Sequence, residues 1–193
     1  MAATYTGDRR WRIEHAQVLD PADIARLGKH GIIASMQPAH QTSDRVMAEA
    51  RLGPARLGGA YAWKSVQASG AKLAFGSDTP VEPPNPFLGF SAAISRQDPK
   101  GEPFGGWQPQ ERVSREEALA AYTANAAYAG FAEGRFGRLV KGERADFLLL
   151  DTDPLMATPT RGARTMVLQT WVNGQLVHQH QEPDPAEIVG TGR

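Results

Sequence analysis

The feature that most constrains this chain is a short apolar run followed by a helix-forming segment, repeated three times in the first two thirds. Trp11 to Val18, Ile32 to Met36 and Lys72 to Phe75 read as strands. After the first, Asp20-Pro21 supplies an N-cap with proline in the first helical position, and Gly31 supplies the stop. Pro38 ends the second run; helical stretches over 43–52 and 54–69 follow, closed by Gly70. The third run enters the loop GSDTPVEPPNP, residues 76–86, whose four prolines exclude regular structure. A helix is predicted over 87–96, then a Gly/Pro-rich loop over 98–109. Ser114 and Glu117 form a capping box that opens an alanine-rich helix to Phe131. Strand–helix repetition of this kind builds parallel sheets through right-handed crossovers.

The last third changes character. Residues 145–151 form an apolar strand, and segments 165–172 and 175–180 flank Asn173-Gly174, a strong hairpin signal. The polar segment 182–193 reads as a flexible tail. Three βα units are too few for a closed eight-stranded barrel, which typically takes ~250 residues. The 193 residues therefore make either a small open α/β domain or a piece of something larger.

Composition narrows the function. Lys+Arg and Asp+Glu are both 21, and this zero balance argues against a broad footprint for nucleic acid or anionic lipid. The absence of cysteine excludes a disulfide framework, a zinc-thiolate site and a cysteine nucleophile. Any metal must rest on His, Asp or Glu. The longest aliphatic-aromatic run, Phe147 to Leu150, is far short of a membrane span, and the first residues carry no secretory signal. A cytoplasmic protein is the expectation.

Functional groups in parallel α/β folds gather at the C-terminal ends of strands. Here the first strand ends in Glu14, His15 and Gln17, the second in Gln37 and His40, and the third in Ser77 and Asp78. Position alone leaves each open. His15 is a metal-binding imidazole or a hydrogen-bonded core histidine. Asp78 is a metal-bound carboxylate that accepts a proton from water, or the cap of a turn. His40, on a loop after Pro38, is a substrate contact or a solvated side chain. Trp63 reads as core, whereas Trp107, among glycines and prolines, is a candidate pocket wall. His178 and His180 read as solvated residues of an edge strand.

Six segments occur in one order: RIEHAQ (12–17), SMQPAH (35–40), FGSDTPVEPPNPF (75–87), YTANAAYAG (122–130), GRLVKGERADFLLLDTDPL (137–155) and TWVNGQLV (170–177). Together they resemble the C-terminal part of the amidohydrolase superfamily, specifically amidohydrolase family 3, the group of N-substituted formamide deformylase-like metal-dependent hydrolases. The resemblance implies the last three βα units of a partial (β/α)8 barrel over 1–136, followed by strands of a small β-sandwich over 137–181. It implies that His15 and Asp78 are metal ligands, that Asp78 is also catalytic, and that the metal is divalent, with zinc the first choice. His40, Gln37 and Trp107 are then the expected substrate contacts. The expected reaction is hydrolysis of a non-peptide C–N bond in a small amide by metal-activated water. The family's N-terminal ligands, including a His-x-His pair on the first barrel strand, are absent from this sequence, so the chain resembles a fragment. An open strand edge and an uncovered interior then predict self-association or a missing N-terminal half. The competing readings are a non-catalytic α/β binding or assembly module, and a deaminase or lactonase on the same scaffold.

Overall fold

A computed structural model describes residues 7–181; the expected tail at 182–193 lies outside the described residues. Three parallel strands, β1 (Arg12–Glu14), β2 (Ile33–Met36) and β3 (Leu73–Phe75), form one sheet in sequential order. Helix α1 (Pro21–Lys29) connects the first pair. Helices α2 (Pro38–Leu52) and α3 (Trp63–Ala68) connect the second, with a short 3-10 turn between them over Pro54–Gly59. The Asp20 carboxylate accepts from Ala22 N, Pro21 occupies the first turn, and Gly31 takes φ +62, a conformation open to glycine without a Cβ penalty.

The expected helix over 54–69 divides into that 3-10 turn and α3. Two further differences from the sequence reading shape the site. The first strand stops at Glu14 because His15 and Ala16 turn with φ of 68° and 42°. The chain then runs antiparallel to the segment before α3: Leu19 N donates to Gly59 O, and Tyr61 N donates to Gln17 O. Pro38 starts a helix rather than ending a strand. Proline lacks the N–H that a first-turn residue leaves unused, so α2 begins there and carries His40 in its first turn.

Helices α4 (Pro86–Ser95), α5 (Arg115–Tyr122) and α6 (Ala124–Ala129) follow. Asn85 caps α4 through its side chain, and Ser114 and Glu117 form the capping box at α5. The expected continuous helix to Phe131 breaks at Thr123, whose φ/ψ of −124°/−93° is not helical. Trp63, Phe75 and Tyr122 pack edge to face through the core, with centroids 6.0 and 5.5 Å apart. Buried Met36, Val66, Leu73 and Phe90 fill the space around them. β3 is wholly buried, whereas β1 is exposed along its length and leaves Trp11 51% and Ile13 39% accessible.

Strands β4 (Phe147–Leu150), β5 (Val167–Val172) and β6 (Gln175–Gln179) form a separate antiparallel sheet, preceded at β5 by the short helix α7 (Pro159–Gly162). Phe147 pairs with Trp171 and stacks on it at 5.6 Å. Asn173 and Gly174 both take positive φ, as the predicted hairpin requires. Among the described residues this sheet is a single layer. No described helix is long and apolar enough to cross a membrane.

Candidate metal centre

The ends of all three parallel strands meet at one cavity of about 410 Å³, lined by His15, Gln17, His40, Ser43, Asp44, Asp78, Val81 and Glu82. His15 stands on the turn after β1, His40 in the first turn of α2, and Asp78 three residues beyond β3. His15 Nδ1 lies 3.9 Å from Asp78 Oδ2, and His40 Nε2 lies 4.0 Å from the same oxygen. One ligand-type atom from each of the three falls within 4.8 Å of the others. The two imidazoles stack with centroids 6.2 Å apart.

The backbone here is unusual. His15 and Asp78 both adopt left-handed φ, 68° and 58°. Side chains with a Cβ reach this region at a cost of roughly 1–2 kcal/mol, and such residues cluster at functional sites. A turn cap does not need that geometry on two different strand ends facing one cavity.

The surroundings differ for the two histidines. His15 is half exposed, and its Nδ1 is 3.0 Å from Gln37 Oε1. Gln37 is buried and meets His15 rather than the cavity wall. His40 is 5% exposed. Its Nδ1 is 3.0 Å from Gln17 Nε2, and its Nε2 has no hydrogen-bond partner among the described residues. A buried polar nitrogen left unpaired beside a carboxylate is costly unless a ligand meets it. This orphan atom, together with two imidazoles and a carboxylate as donors, fits a divalent cation or a polar substrate bound there.

A second layer supports the first. Gln17 Nε2 also lies 3.4 Å from Asp44 Oδ2, and the Tyr61 hydroxyl donates to that oxygen at 2.9 Å. Burial, and then the bond to Asp44, push the Tyr61 phenol well above its ordinary pKa. Asp44 was legible only once α2 was known to begin at Pro38, because it then stands one turn after His40 on the same face. Tyr61 has no sequence signal. It enters the site because the chain folds back along residues 17–19.

Trp107 requires a correction. It does not line the cavity. Its ring is 7% exposed, packs edge-on against Tyr61 at 5.9 Å, and donates from Nε1 to Glu49 Oε1 at 2.7 Å. Gly105 and Gly106, at φ 79° and 82°, turn the loop so that the indole faces inward. There Trp107 N donates to Arg96 O, and Arg96 Nε donates to Trp107 O. A Gly/Pro-rich neighbourhood suggested a pocket wall; the glycines instead provide the turn that buries the ring against Tyr61. Trp63 is fully buried as expected, and His178 and His180 are exposed. Glu14 and Ser77 end their strands but do not line the cavity.

Residues 2–178 match the model of the Amidohydrolase family. The chain belongs to the amidohydrolase family. Protein LONG AFTER FAR-RED 3 of Arabidopsis thaliana is 38% identical over 178 residues, covering 92% of this chain and 30% of that protein. N-substituted formamide deformylase of Arthrobacter pascens is 31% identical over 116 residues, covering 60% of this chain and 21% of the relative. An uncharacterized metal-dependent hydrolase from Pyrococcus furiosus superposes with a TM-score of 0.63 at 36% identity, covering 75% of this chain and 28% of that one. This amidohydrolase chain thus spans less than a third of each of these proteins. The family match and the superposition on part of a metal-dependent hydrolase give the chain an amidohydrolase scaffold.

Proposed function

We propose that this chain carries part of the active site of a metal-dependent amidohydrolase that cleaves a non-peptide C–N bond of the amide or formamide type. The observation that carries the reading is the convergence of His15, His40 and Asp78 from three successive strand ends on one cavity. An assembly module would predict no such cavity at His15 and Asp78. In this reading β1, β2 and β3 are the last three strands of a (β/α)8 barrel, β4 to β6 belong to its β-sandwich, and the protein acts in the cytoplasm.

His15 and Asp78 would hold the metal, with zinc the fitting choice for an imidazole-carboxylate set without thiolates. When bound, such a cation acidifies water and polarises a carbonyl. The chain's own groups do the rest. Asp78 has a second oxygen to accept the proton of the attacking water and pass it to the leaving nitrogen. A C–O bond forms, the C–N bond breaks, and a carboxylate and an amine result. Gln37 orients the His15 ring from behind. Gln37 and His40 are the substrate-side groups in this reading, although Gln37 reaches the site only through His15.

Structural and catalytic zinc sites ordinarily use three or four protein ligands. With His15 and Asp78 alone the isolated chain should bind zinc weakly and hydrolyse amides little or not at all, its further ligands coming from outside these residues. Zinc titration followed by the imidazole resonances tests the assignment. Shifts at His15 that weaken at least tenfold in Asp78→Asn support it. Zinc that shifts His178 and His180 while leaving His15 unmoved overturns it.

A further inference from the structure

We propose that Tyr61, Asp44 and Gln17 form a relay that fixes His40 with its proton on Nε2, making it a hydrogen-bond donor to a substrate oxygen rather than a metal ligand. The inference rests on the reading of the cavity as a hydrolase site, and it assigns positioning roles to three residues.

The argument is one of donors and acceptors. The Tyr61 hydroxyl donates to Asp44 Oδ2, and a carboxylate only accepts. The Gln17 atom facing Asp44 must therefore be its amide nitrogen, a donor. The same nitrogen lies 3.0 Å from His40 Nδ1. Two donors cannot share that contact, so Nδ1 accepts with its lone pair. In a neutral imidazole the one proton then sits on Nε2. This Nε2–H is buried and unpartnered among the described residues, 4.0 Å from Asp78 Oδ2, on a side chain that lines the cavity. A nitrogen that carries a proton has no lone pair for a cation. It can instead hydrogen-bond a carbonyl oxygen, and more strongly as that oxygen gains charge during attack. The other groups facing His40 are consistent with this polarity: Asp78 is an acceptor at 4.0 Å, and the His15 ring is stacked alongside without a bond to it.

The relay also gives a reason for a tyrosine hydroxyl placed against a carboxylate. Asp44, which only accepts, sets the direction of the bond to Gln17, and the phenol is its second donor, holding the carboxylate in place. Tyr61 is itself held, because Arg96 donates to its carbonyl at 2.8 Å.

Long-range nitrogen-proton correlation spectra of the full chain, at a pH well above the ordinary histidine range, test the relay directly. The expected result is that His40 carries its proton on Nε2 and keeps it when zinc is added, while His15 shifts. The double variant Gln17→Glu with Asp44→Asn reverses the donors without changing shape, and should move the His40 proton to Nδ1. Proton on Nδ1 in the unaltered chain, or zinc coordination through His40 Nε2, overturns the inference while leaving the hydrolase reading intact. Proton on Nε2 with no zinc effect at His15 strikes the hydrolase reading and leaves the relay standing. The spectrum of the unaltered chain decides even where the double variant fails to fold.

Discussion

His15 Nδ1 and Asp78 Oδ2 face each other at 3.9 Å although they follow β1 and β3, two strands that do not pair with each other. Each is paired to β2, so the width of one intervening strand separates their origins. Both residues then bend inward through left-handed backbone, which brings the side chains together over the end of β2. That shared bend is a measurable strain. His15→Gly should be more stable than His15→Ala by about 1 kcal/mol, because glycine occupies left-handed φ without a Cβ conflict. Paired denaturant melts check it. Equal stability of the two variants would mean the turn is not strained.

Gly28 shows how close the layers lie. It sits inside α1, where alanine would ordinarily gain about 1 kcal/mol in helix propensity. A Cβ there, however, would clash with the backbone carbonyl of Ser69, just after α3, which cannot rotate away. Overpacking of this kind costs about 1–3 kcal/mol, so Gly28→Ala should be destabilising despite its better propensity. Thermal melting reads the sign.

The capping box of α5 makes stability depend on pH. The backbone N–H of Ser114, with help from the Lys64 ammonium, holds the Glu117 carboxyl below its ordinary value of 4.5. A group whose pKa is lower folded than unfolded stabilises the fold when ionised. That contribution is full above the unfolded value and disappears as pH falls through the lowered one. Glu117→Gln keeps a side chain able to cap but removes the charge, so it should lower stability at neutral pH, flatten the acid limb of the melting profile and converge with the unaltered chain at low pH. An unchanged acid limb would assign the dependence to other carboxyls.

Self-association is expected at the β1 edge. Among the described residues β1 is paired only on its β2 side, with exposed Ile13 on it and exposed Trp11 just before it. Unpaired edge backbone beside apolar side chains is a template for a second chain. Light scattering should show dimers or larger species, and Ile13→Lys should shift the population toward monomer. A monodisperse monomer across the accessible concentration range would contradict this.

Much of the organisation was legible in local chemistry. Asp20-Pro21, Asn173-Gly174 and the Ser114–Glu117 pair act within a few residues, so their outcome depends little on what lies elsewhere. His15 and Asp78 stood out because they end apolar runs inside recognisable motifs. What the tertiary structure alone decided is who meets whom. Pro38 could end a strand or start a helix, and only packing of α2 settled it, bringing His40 and Asp44 to the cavity. Tyr61 joined the site, and Trp107 left it, through contacts between segments distant in sequence. Side-chain hydrogen bonds across such distances depend on how sheets and helices stack, and a string of residues does not encode that stacking position by position.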